Sequence, residues 1–169
     1  GNLREPLRHL DRADVLILTK TNLVEPSAYL KRLIQKQNPT VFKSLVSFDK
    51  SLINNDKGIV ADENISALVI SGIADTKSFH KTLEQAGINI CDTITFIDHH
   101  NYVQKDIDEI LNKAQSCKAD IIVTTEKDLV KLKNYDFDKF DLFGLAIQFK
   151  LDNQSEQNLF AFLEKRLSI

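Results

Sequence analysis

The chain has 169 residues, 22 Lys+Arg against 24 Asp+Glu, and a formal net charge of −2. A chain this long can bury about 70% of its unfolded surface, so it needs no disulfide framework or structural metal. With 43% hydrophobic and 27% charged residues, the composition excludes a disordered chain and a membrane bundle, and the near-neutral charge provides no global attraction to nucleic acid.

In chain order, the opening segment Gly1-Asn2-Leu3-Arg4-Glu5-Pro6-Leu7 is dense in charge. Arg4, Arg8 and Arg12 recur every four residues and predict one basic stripe on a helix, with Leu3, Leu7 and Leu10 as its apolar counterpart. A guanidinium stripe suits phosphate recognition. The same charges also make an ordinary solvated face, with Glu5 and Asp11 as internal partners.

Short apolar runs then alternate with amphipathic patterns. Strands are predicted at Val15–Thr19, Phe42–Phe48, Ala67–Ser71, Thr93–Ile97, Ile121–Thr124 and Leu142–Phe149. Helices are predicted at Ser27–Lys36, Thr76–Ala86, Ile107–Ser116, Glu126–Leu132 and Ser155–Arg166. Gly87 suits a helix stop, and Asn54–Gly58 a polar turn between strands. Lys133–Phe143 reads as a packed loop with solvated aspartates, and Leu159, Phe160, Phe162, Leu163 and Leu167 as the core face of the last helix. The alternation predicts a single α/β domain over 1–169, a three-layer sandwich with a mainly parallel, Rossmann-like sheet.

Four of the apolar runs end in polar chemistry: Thr19-Lys20, Gly72 with Asp75, Asp98-His99-His100, and Thr124-Thr125-Glu126-Lys127-Asp128. In a parallel α/β sheet such strand ends share the ligand-binding edge. A carboxylate beside a histidine fixes its tautomer and raises its basicity, as general acid–base catalysis requires. Adjacent histidines diverge, so one of His99 and His100 is expected to face the chemistry. Thr125 and Asp128 have capping-box spacing, while Lys127 and the helix end offer anion binding instead. Asp-His-His also names a family of metal-dependent phosphoesterases, which require an earlier Asp-x-Asp. Here Asp136-Phe137-Asp138 comes late, and a two-metal site is not expected. A non-catalytic α/β nucleotide-binding module is the remaining alternative. Cys91 and Cys117 stand apart without metal-ligand spacing, as small buried thiols do. No Gly-x-x-x-x-Gly-Lys-Ser/Thr occurs, so the chain holds no phosphate cradle of that type.

Taken in order, these segments resemble the tetraacyldisaccharide 4′-kinase (lipid A 4′-kinase) family. The likeness rests on Gly1-Asn2-Leu3-Arg4-Glu5-Pro6-Leu7, Arg12-Ala13-Asp14, Gly72-Ile73-Ala74 with Phe79 and Gly87, Phe96-Ile97-Asp98-His99-His100 with Tyr102, and Thr125-Glu126-Lys127-Asp128 with Lys131. The family usually has Asn-Pro where this chain has Asp75-Thr76. The resemblance implies the C-terminal part of a longer kinase, with 1–13 bordering an absent P-loop domain that binds ATP and Mg2+. It also implies transfer of the γ-phosphate to the 4′-hydroxyl of a lipid A disaccharide precursor at the cytoplasmic face of the inner membrane. His99 then corresponds to the active-site histidine, beside Asp98. Arg4 and Glu5 correspond to a pair near the nucleotide phosphates and metal, with Glu5 as a metal ligand, while Lys127, read from its own place at the strand end, is expected as a further phosphate contact. The lack of any Met and the start at Gly1 fit the expectation of a cut chain, inactive alone and without tight cofactor binding. No basic amphipathic helix with an exposed apolar face stands out, so membrane contact is expected of the absent part.

Overall fold

A computed structural model describes residues 5–54, 58–60 and 64–167. Arg4 therefore lies outside the described residues. The elements are a 3₁₀ helix (Leu7–Arg12), β1 (Val15–Leu18), α1 (Ala28–Gln37), β2 (Thr40–Ile53), β3 (Gly58–Val60), β4 (Ser66–Ser71), α2 (Thr76–Ala86), β5 (Asn89–Thr95), α3 (Gln104–Ser116), β6 (Ile121–Thr125), α4 (Glu126–Leu132), β7 (Asp141–Leu151) and α5 (Asn153–Leu167). They form two compact units, Phe48–Ile147 and the flanking segments Gly1–Ser47 with Gln148–Ile169. The long strands β2 and β7 contribute residues to both.

In the Phe48–Ile147 unit the strands run in the order β7-β6-β4-β5, all parallel. Successive residues of a strand point to opposite faces. Ala67 and Val69 of β4 therefore pack with Phe79, Leu83 and Ala86 of α2. Leu68 and Ile70 pack with Ile107, Ile110 and Ala114 of α3 and Leu132 of α4. A strand buried on both faces reads as one apolar run, which is why β4 is legible in the sequence. Two helical layers around a parallel sheet make this the expected three-layer α/β arrangement. Each fully buried Leu or Ile contributes about 1.5–3 kcal/mol through removal from water.

Local signals set the helix bounds here. Asp75 accepts the Ser78 N–H at 3.2 Å and caps α2. Gly87 ends it at φ +85°, a conformation cheap only for glycine. From Lys133 to Phe143 the pattern is as anticipated, with Phe137 and Phe140 buried and Asp136 and Asp138 exposed.

In the flanking unit β1 pairs with β2 in parallel, Val15 opposite Thr40. Ser155 Oγ of α5 accepts the Lys43 N–H at 2.8 Å, and the Asp152 N–H donates to the Lys43 carbonyl at 3.0 Å. Phe42 is buried and meets Phe162 edge-on at 6.3 Å between centroids.

Several expectations change. The Leu7–Arg12 helix is 3₁₀, with three residues per turn, so positions four apart do not stack and the basic stripe through Arg8 and Arg12 is lost. The fourth strand begins at Asn89 and ends at Thr95, which moves Phe96 and Ile97 into the following loop. The last helix is only partly core-facing: Leu159 and Phe162 are half-buried, but Phe160 is 61% and Leu167 63% exposed. Its apolar residues span a wider arc than one contact face covers. Lys165 and Arg166 in its last turn are balanced by Glu156 and Glu164, so α5 carries exposed apolar residues but no net charge. Among the described residues, no helix is long and apolar enough to cross a membrane.

Candidate active site at the strand ends

The C-terminal ends of β4, β5 and β6 lie at one edge because the three strands are parallel and in register, Ser71 opposite Thr95 and Val69 opposite Val123. From β4 the chain turns at Gly72, whose carbonyl accepts the His99 N–H at 3.2 Å. His99 itself adopts φ +62°, a left-handed conformation in which His is enriched over most residues. Its side chain is 75% exposed. His99 Nε2 lies 3.8 Å from Asp98 Oδ2 and 3.4 Å from Lys127 Nζ. Lys127 Nζ is also 3.6 Å from Asp98 Oδ1. Asp98, His99 and Lys127, assigned from sequence to one site, are thus together.

His100 turns the other way. It stacks on Phe96 at 4.7 Å, and its Nε2 lies 2.8 Å from Asp106 Oδ2. Burial works against the Asp106 charge, but the His100 hydrogen bond and the Val103 N–H outweigh it and hold the carboxyl below its ordinary value. One histidine is therefore exposed at the edge and the other locked beneath it.

Below the edge lies a buried junction. Asp128 is fully buried, and its Oδ2 accepts the Gly72 N–H at 2.8 Å and the Thr125 hydroxyl at 3.0 Å. Thr125 caps α4 by accepting the Asp128 N–H at 3.1 Å. The capping role of Thr125 holds, while the Asp128 carboxylate reaches across to β4. Lys131 Nζ donates to the His100 carbonyl at 2.9 Å and lies 3.4 Å from Asp128 Oδ1. A buried carboxylate persists only when so satisfied. The acidic residues Glu126 and Asp128 in the first turn of α4 work against anion binding at its helix end. Tyr102 closes over the junction, and burial, then the Asp128 carboxylate, push its hydroxyl far above the usual range. A Cβ on Gly72 would lie 3.2 Å from Tyr102 Oη and 3.3 Å from Asp128 Oδ1. A side chain at position 72 would therefore have to push these neighbours back by a few tenths of an ångström.

Sequence reasoning missed the Asp128 link to Gly72 and the His100–Asp106 pair, since neither spacing carries a periodic signal. Glu5 and Thr19-Lys20 belong to the flanking unit. Glu5 Oε2 pairs with Arg12 at 2.7 Å and His9 at 3.1 Å. Lys20 has φ +61°. Among the described residues, no three His, Cys, Asp or Glu side chains group as a metal ion would need.

An open parallel α/β sheet with a histidine, a carboxylate and a lysine at its C-terminal edge defines a protein of the ligand-binding α/β class. A profile described as tetraacyldisaccharide-1-P 4′-kinase matches residues 1–168, and the chain belongs to that family. It is 31% identical to the tetraacyldisaccharide 4′-kinase of Halothermothrix orenii, over 89% of this chain and 45% of that protein. With the Aquifex aeolicus protein of the same name it shares 32% identity, over 92% and 44%. The structure resembles an "apo" form of LpxK from Aquifex aeolicus crystallised with ATP, at TM-score 0.56 and 25% identity, covering 96% of this chain and 46% of that one. The chain spans about half the length of the curated relatives it matches.

Proposed function

We propose that this chain is the C-terminal part of a kinase that transfers the γ-phosphate of ATP to the 4′-hydroxyl of a tetraacyldisaccharide 1-phosphate, the lipid A precursor. The observation that carries this reading is the exposed Asp98–His99–Lys127 group at the strand-end edge of a chain in that family. Phosphoryl transfer is mostly positioning and charge stabilisation. His99 orients or polarises the base that takes the hydroxyl proton, Asp98 orients His99, and Lys127 steadies phosphate charge.

The chain contains no phosphate-cradling Gly-Lys-Ser/Thr loop, so ATP is held chiefly by a P-loop domain bordering residues 1–13, with Arg4 at the phosphates. Mg2+, when bound, would supply neutralisation of phosphate charge. Glu5, whose Oε2 pairs with Arg12 and His9 in this chain, would supply one oxygen ligand, and the remaining ligands would come from outside this chain. Exposed Phe160, Leu163 and Leu167 on α5 support apolar contact with that domain, and the intact enzyme works peripherally at the inner membrane.

The test is transfer of labelled γ-phosphate to the disaccharide by the intact protein and by this chain alone. The intact protein is expected to be active and this chain inactive. In the intact protein, His99→Ala should reduce kcat by about 10²–10⁴-fold without unfolding it. Near-normal turnover in that variant removes the assignment.

A further inference from the structure

We propose that Asp128 and Lys131 are positioning residues for His99, holding its turn from below through the backbone on both sides. The inference rests on the role given to His99 above, although neither residue touches the His99 side chain. Asp128 Oδ2 receives the Gly72 N–H at 2.8 Å, and the Gly72 carbonyl receives the His99 N–H at 3.2 Å. Gly72, the residue after β4, thus links the buried carboxylate to the histidine backbone through its own N–H and carbonyl. Lys131, one turn on, donates to the carbonyl of the next residue, His100, at 2.9 Å. The pair joins itself at 3.4 Å, with Asp128 fully buried and the Lys131 side chain 28% exposed. His99 stands at φ +62°, and a sparsely populated backbone state persists only where its surroundings over-determine it. The same helix carries Lys127, whose Nζ lies 3.4 Å from His99 Nε2. Helix α4 therefore sets both the backbone and the neighbour of the imidazole.

A purely structural role for Asp128 would alter stability alone. The experiment compares Asp128→Asn, Lys131→Met and Lys131→Arg in the intact protein, well below its unfolding temperature. It reads kcat, KM for ATP, and the His99 imidazole proton–carbon cross-peak, identified by its loss in His99→Gln. Asp128→Asn and Lys131→Met are expected to shift the cross-peak and to lower kcat by about ten- to a hundredfold. KM for ATP should stay within about twofold. Lys131→Arg, which can still donate to the His100 carbonyl, should restore both readouts. An unmoved cross-peak with kcat within about twofold of the parent overturns the proposal. If Asp128→Asn does not fold, the Lys131 pair decides. If His99→Ala retains full turnover, the kinase role of His99 falls, and the cross-peak still decides whether α4 positions it.

Discussion

Lys127 reaches from the first turn of α4 to within 3.4 Å of His99 Nε2, although 28 residues separate the two in sequence. Asp98 Oδ2 lies 3.8 Å from the same ring nitrogen, so a cation and a carboxylate meet at Nε2, and the proton on the imidazole decides which of them it bonds. The lysine thus presents a positive charge beside the imidazole and Asp98 at an exposed edge.

Lys127→Met should therefore lower kcat/KM by about tenfold or more in the intact enzyme, with Lys127→Arg recovering part of it. Steady-state kinetics at fixed acceptor check this. An unchanged kcat/KM in Lys127→Met would remove the lysine from the site.

Two glycines should respond to alanine for different reasons. At Gly72 a Cβ meets Tyr102 Oη, Asp128 Oδ1 and, at 3.4 Å, His100 Cβ, and the expected cost is about 1–3 kcal/mol from overpacking. At Gly87 the Cβ meets open space but φ is +85°, and the cost is about 1 kcal/mol from backbone strain. Denaturant midpoints measure both, and only Gly72→Ala should also disturb turnover.

The His100–Asp106 pair sets part of the acid sensitivity. Because the folded state holds the Asp106 carboxyl below its ordinary value, its stabilisation is fully present above the unfolded value of about 3.9. It is lost as pH falls from there through the lower folded value. Asp106→Asn should therefore flatten the acid limb of a stability–pH curve while lowering stability at neutral pH. An acid limb as steep as that of the parent would contradict this.

On the flanking unit, Phe42→Ala should cost about 3–5 kcal/mol, because Phe42 is 2% exposed and packs on Phe162. Phe160→Ser, on the exposed side of the same helix, should leave the stability of this chain nearly unchanged. Thermal unfolding of the two variants gives the comparison.

Elements with signals inside their own few residues were legible in sequence. Helix α2 begins after Asp75 and ends before Gly87, and α4 begins after Thr125. Each boundary matched because a side-chain cap or a left-handed glycine acts over three or four residues. Strand β2 was read as Phe42–Phe48 but spans Thr40–Ile53. Its polar stretch, which includes Asp49 and Lys50, lacks the apolar pattern, and beyond it Ser51–Ile53 are held as strand by antiparallel pairing with β3. Strand β5 was placed late because Phe96 and Ile97 look like strand residues. Their place is in the loop over His100, where Phe96 stacks on the imidazole.

By itself the sequence determined the α/β alternation, the polar ends of the strands, and the family to which Asp98, His99 and Lys127 belong. Those are matters of local propensity and residue identity. Only the tertiary structure decided which histidine is exposed, that Asp128 serves Gly72 as well as its own helix, and that α5 leaves Phe160 uncovered. Each depends on groups brought together across parallel strands or on the area a neighbouring element covers, and neither is encoded in the spacing along one chain segment.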